Sequence, residues 1–346
     1  MFSKLVRTRT PSISASLKKR NEKGYILGLI AAVVSIGFAA ILFFNRQCIV
    51  DQLTVWQYAP SADISSLAVR TAMSDKGKFL FYASQPSIEN ATTFNKQCGR
   101  QEANTAILGC YNGTNIFIYN VTDVRLDGIR EVTAAHEMLH AAYARMSQGE
   151  KEKLNVLLEA EYATLKNDKQ FAERMAFYAR TEPGERDNEL HSVIGTEIGS
   201  ISAELEDHYK AYFSDRSKVV MLHDHYAKVF SDLQNKSDSL SAQLTALKGT
   251  IESETLAYNK SVTALNDDIK TFNAQASNGE FTNESTFQSA RSTLVSRANQ
   301  LDTFRQQINA RVAQYETLRQ ELLSIASQSE ALNKSIDSSL VPAPSL

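Results

Sequence analysis

The sequence predicts an α+β protein in three parts. A small domain with a short mixed sheet and one motif-bearing helix sits in the middle, with a single membrane-crossing helix ahead of it and a long antiparallel coiled-coil hairpin behind it. Three observations carry this reading. Tyr25 to Phe44 is twenty residues without a charge. His136-Glu137-Met138-Leu139-His140 lies in an uninterrupted helical stretch that follows a hairpin pattern. From Val219 onward glycine and proline nearly vanish, and apolar residues recur at spacings of three and four.

Taken in order, residues 1–24 are a basic tail, with Lys4, Arg7, Arg9, Lys18, Lys19, Arg20 and Lys23 against Glu22 alone. Twenty helical residues at 1.5 Å each reach about 30 Å, the thickness of a bilayer's hydrocarbon core. Asn45-Arg46-Gln47-Cys48 follows, with no small-x-small cleavage site, so 25–44 reads as an uncleaved transmembrane signal anchor. The charge bias places the tail in the cytoplasm and the bulk of the chain outside. The 346 residues leave room for two or three domains, and a net charge of -2 gives no general pull toward nucleic acid.

Residues 45–218 form the predicted globular domain. Asp63 to Ser74 reads as a helix with an N-cap aspartate and Gly77 marking its end, and Lys78 to Ala83 as an aromatic strand. The apolar runs Thr105–Cys110 and Asn115–Val121 flank Asn112-Gly113, a hairpin turn signal. Arg130 to Met146 contains no proline or glycine and reads as a half-buried helix. Helices over Glu150–Lys166 and Gln170–Arg180 follow, and Thr181-Glu182-Pro183-Gly184 breaks the chain. A compact segment at 189–197 and a capped helix from about Ser202 to Phe213 complete the domain. Of three cysteines, Cys98 and Cys110 close a short loop and, outside the cell, form a plausible disulfide contributing about 3 kcal/mol. Cys48 is left over beside the membrane.

The chemistry concentrates at 136–140. On a helix, His136 and His140 lie one turn apart on one face, so their imidazoles can converge on one zinc ion. Glu137 can then reach the water on that ion and act as general base. The flanks Thr133–Ala135 and Ala141–Tyr143 are uncharged, and histidine is rare at six in the chain. His223-Asp224-His225 places its two histidines at alternate positions that point apart, and reads as solvated surface.

Hairpin, short loop and H-E-x-x-H helix, in that order, resemble zinc metallopeptidases of the zincin type, over roughly Thr105 to Phe213. The resemblance implies a Zn2+ cofactor and hydrolysis of a peptide or protein substrate, a cell-wall peptide included. It departs from the metzincin branch: position 146 is Met146 where that branch has a histidine, and position 143 is Tyr143 where it has a glycine. In the gluzincin-like branch a glutamate on a later helix is the third ligand. Asn188-Glu189-x-x-Ser192 is similar to that helix, which implies Glu189. Glu197 is the alternative, as ligand or as a carboxylate orienting a ligand histidine, and His191 is a further one. An oxyanion donor is expected among His191, His208, Tyr209 and Tyr212, and strand 115–121 is expected to hold an extended substrate along its edge.

Residues 219–337 carry two apolar seams. One runs through Leu233, Leu240, Leu244, Leu247 and Ile251 to Phe272 with a skip near Leu256, the other from Leu294 to Ile325. Asn278-Gly279 lies between them, which predicts two helices of about fifty residues in an antiparallel hairpin about 75 Å long. Residues 338–346, with two prolines, read as a disordered tail. A second functional reading is a non-enzymatic envelope or surface scaffold, in which the coiled coil binds a protein partner and the zincin-like domain is inactive.

Overall fold

The structure, a computed structural model, describes residues 14–99, 107–181 and 184–339, and only the backbone for 14–23, Gln170 and Thr181. Residues 1–13 of the basic tail, Thr105 and Ala106 of the first hairpin run, and 340–346 of the tail lie outside the described residues. The chain is mostly helical, with one small mixed sheet.

Helix α1 (Ser14–Phe44) contains the apolar stretch Gly24–Phe44, which is long and apolar enough to cross a membrane and has no residue buried against the domain. Helix α2 (Arg46–Gln57) follows one residue later. The domain then adds α3 (Ala62–Arg70) and α4 (Asp75–Ala83). The N-cap of α3 is Ser61, not Asp63, which lies in its first turn. The predicted strand at Lys78–Ala83 is helix α4 instead. Ser74 caps it by accepting from the Gly77 amide, and Gly77, Leu80, Phe81 and Ser84 are buried at helical spacing. Gly77 therefore opens a helix and does not end one.

Strand β1 (Ser87–Glu89), helix α5 (Ala91–Gln97), and strands β2 (Gly109–Tyr111) and β3 (Ile116–Tyr119) follow. The sheet order is β1-β3-β2, with β1 parallel and β2 antiparallel to β3. The hairpin forms as expected, with Gly113 at φ 92° in its turn and Asn112 Oδ1 accepting from the Thr114 and Asn115 amides. Strand β3 is the central strand, however, so it offers no edge to a substrate. Ile116 and Ile118 point into the core.

The motif helix α6 (Ile129–Arg145) crosses this sheet and packs most closely on α9 (Arg186–Glu197). Helices α7 (Gln148–Leu165), α8 (Lys169–Thr181) and α10 (Ala203–Tyr209) enclose them. Met138, Leu139, Leu190 and Ile194 are fully buried at this contact, each contributing about 1.5–3 kcal/mol. The close approach depends on Gly195: a Cβ there would lie 2.5 Å from Leu139 Cδ1 and 2.6 Å from the Tyr209 ring.

The arm is α11 (Ser217–Ser277) and α12 (Glu284–Ile336), an antiparallel pair within one chain. At 61 residues α11 is about 90 Å long, longer than expected. Leu240, Leu244, Leu265, Ile308 and Ile325 fill the seam, while Leu256 at the skip faces solvent. Lys236 pairs with Glu321 at 2.8 Å and Arg311 with Glu254 at 3.3 Å. Both ends return to the domain, where Leu332 is buried with Val121, Leu126 and Ile129 against Tyr226, Val229 and Phe230. Ser338, expected in the disordered tail, is buried and bonded to Asn95 through both its carbonyl and its hydroxyl.

Candidate metal centre

Three side chains converge where α6 meets α9. Nε2 of His140 lies 3.3 Å from Glu189 Oε1, and Nε2 of His136 lies 3.6 Å from Glu189 Oε2. One ligand atom from each of His136, His140 and Glu189 falls within 4.8 Å of the others, so the group could hold a metal ion. The two imidazoles stand edge to face with ring centroids 4.7 Å apart. Helix geometry brings the histidines together, and the α6–α9 contact supplies the carboxylate from fifty residues further on. Glu189 is 2% exposed, and His140 and Glu137 are also buried.

The electrostatics favour ligation. Burial, reinforced by the Arg174 charge, lowers the His136 pKa to about 3. Burial also lowers that of His140, against the opposing pull of Glu189. Both imidazoles are thus held neutral, the form that binds a metal. Nδ1 of His140 is buried without a hydrogen bond, as is Oδ1 of Asn188, and Asn188 opposes the lowering of the His140 pKa. Two imidazoles and one carboxylate are a donor set that suits a divalent metal ion.

Glu137 occupies the helix position after His136, and its carboxylate is held against strand β2. A Cβ at Gly109 would lie 2.5 Å from Thr133 Cγ2 and 2.7 Å from Glu137 Oε1, so only glycine lets β2 pass this closely. The neighbouring residue, Cys110, forms the expected disulfide with Cys98, which ties β2 to the end of α5. Cys48 is free and exposed.

The alternatives for the third ligand fall elsewhere. Glu197 pairs with Arg174 and lies 3.4 Å from Nε2 of His223, so it orients neither motif histidine. That contact also corrects the surface reading of His223, which is half-buried. His191 is fully buried on another face of α9, where its Nε2 sits 3.1 Å from Nε2 of His208 and its ring stacks on Tyr209. Of the other oxyanion candidates, Tyr209 is a core residue whose hydroxyl donates to the His191 carbonyl. His208 and Tyr212 line a cavity of about 370 Å³ with Ala142 and Met146, on the side of α6 away from His136 and His140. Tyr178 on α8 was not singled out from the sequence, yet its ring stacks on His136 at 6.5 Å. With Phe171 and Met175 it makes an i, i+4, i+7 stripe that reads as ordinary core.

No family model matches the chain, and no curated protein or solved structure is significantly similar to it.

Proposed function

We propose that the chain is a zinc metallopeptidase, anchored by α1 with its domain outside the cytoplasm. The observation that carries this reading is the convergence of His136, His140 and Glu189, with Glu137 the residue after His136 on α6. Zinc bound there would polarise the scissile carbonyl and lower the pKa of its water toward about 7. Glu137 would then serve as the base that takes that water's proton and returns it to the leaving amine. His136 and His140, held neutral by burial, and Glu189, supplying the negative charge, would hold the ion. An extended substrate would pair with β2, an edge strand among the described residues and the one lying against α6, in place of the central β3.

Zinc is favoured by the donor set, and the outward orientation by the basic residues before the span. A scaffold reading draws support from the arm, whose two helices of 61 and 53 residues form the longest feature of the molecule. The two readings separate on hydrolysis. Purified full-length chain in detergent should cleave members of a mixed peptide library, and a chelator should abolish cleavage until zinc is restored. Zinc-loaded chain that cleaves nothing would leave the scaffold.

A further inference from the structure

Helix α2 is amphipathic in the reverse sense to a surface helix of a globular domain. Its one buried residue is charged: Asp51, beside half-buried Val55, is 4% exposed and forms a two-point ion pair with Arg145, Nε to Oδ2 at 2.8 Å and Nη2 to Oδ1 at 2.9 Å. Gln47 on the same side donates to Asp51 Oδ1 at 2.9 Å. The opposite side carries Ile49, Val50, Leu53 and Trp56, all exposed, with Trp56 at 73%. At 100° per residue these four fall on one stripe centred opposite Asp51. A helix that buries its charge and exposes its apolar stripe has its apolar partner outside the protein.

The chain itself says where that partner lies. Asn45 alone separates α2 from α1, and its φ of -101° and ψ of 11° depart from helical values, so α2 starts on a new course at the point where the apolar stretch ends. The stripe carries one charge, Arg46 in the first turn of α2 beside the end of the span, where a basic side chain meets lipid headgroups, and a tryptophan sits at its far end, as at membrane–water boundaries. Resting on the reading of α1 as a membrane span, we infer that α2 is a membrane-surface helix. Ile49, Val50, Leu53 and Trp56 lie in the headgroup region of the leaflet where the span emerges, and Asp51 clamps the opposite face to Arg145. Arg145 is in the last turn of α6, five residues past His140. The clamp therefore fixes the motif helix to the membrane surface with one helix between them, and the centre acts on substrates close to the bilayer. Four apolar side chains against one basic one make apolar burial the main term, so zwitterionic vesicles are the probe.

Trp56 is the chain's single tryptophan, which makes the test direct. Full-length protein is reconstituted into phosphatidylcholine vesicles, separated by flotation, and its fluorescence read with lipids brominated near the headgroup or deep in the acyl chain. The inference predicts emission shifted to the blue of the urea-unfolded chain and quenched more by the shallow bromine than by the deep one. Protein that floats but keeps water-like, unquenched emission would overturn it while leaving the span intact. Blue-shifted, unquenched emission that reverts as lipid is added in excess would overturn it in favour of a second copy covering the stripe. Protein that fails to float would overturn the span reading, and this inference with it.

Discussion

At the residue scale, the fitness of the centre rests on one carboxylate brought from another helix. Glu189→Ala removes the third candidate ligand, so zinc affinity should fall by more than the about 10–100-fold that an outer partner costs. Unchanged zinc affinity in a folded variant would remove Glu189 from the site. Gly109 tests the positioning of Glu137. In Gly109→Ala the new methyl collides with Thr133 and Glu137, which should cost about 1–3 kcal/mol and displace the Glu137 carboxylate. The variant should keep its zinc and lose hydrolysis; full hydrolysis would show that Glu137 does not depend on β2. The buried histidines also set a pH dependence. Burial lowers His208 to about 4 and His191 well below its ordinary value of 6.5. As pH falls through 6.5 the unfolded chain takes up protons that the folded chain refuses, so stability declines from there toward the folded-state values. The urea midpoint of metal-free protein should therefore drop between about pH 7 and pH 5; a flat midpoint would mean these rings are not held neutral.

At the element scale, β2 is held by the Cys98–Cys110 disulfide on one side and by α6 on the other. Replacing both cysteines with serine should cost about 3 kcal/mol, visible as a lower melting temperature, and should loosen the strand against Glu137. A variant melting like the parent would mean that the bridge adds nothing to the fold. The hairpin arm has its own check: cysteines placed at Leu265 and Leu294 should crosslink within one chain, and bonds found only between chains would contradict the antiparallel pairing. Sequence reading succeeded where an element is long and its period distinct, as in α1, α6 and the arm. It failed at α4, because Lys78–Ala83 is too short for its apolar and aromatic residues to separate a period of 2 from one of 3.6. The two histidines and Glu137 were legible because one helix turn brings them together. Gly109, Arg174, Asn188 and Tyr178 were not, since they come from elements that meet only through tertiary packing, and each reads locally as strand, solvated charge, cap or core.

At the scale of the whole molecule, three parts join at the motif helix. Helix α2 is paired to its last turn through Asp51 and Arg145, α9 supplies the third candidate ligand, and the base of the arm packs near its first turn. Gly128, the N-cap of α6 at φ 98°, lies against Leu222 of α11. Because residues 226–233 and 332–336 are part of the domain's packing, removing the whole arm would expose core. Removing only 241–320 and closing the stub with a glycine-rich turn should leave short-peptide hydrolysis unchanged while impairing action on a large target. Lost short-peptide hydrolysis in a folded, zinc-loaded stub would show that the distal arm gates the centre. The central claim, that this centre hydrolyses peptides, is tested most directly by zinc content and peptide turnover measured side by side in the parent chain and in Glu137→Gln. One zinc per chain in both, with turnover lowered on the order of 10²–10⁴-fold in the variant, is the expected result. Equal turnover in the two proteins, or none in a fully zinc-loaded parent, would contradict it.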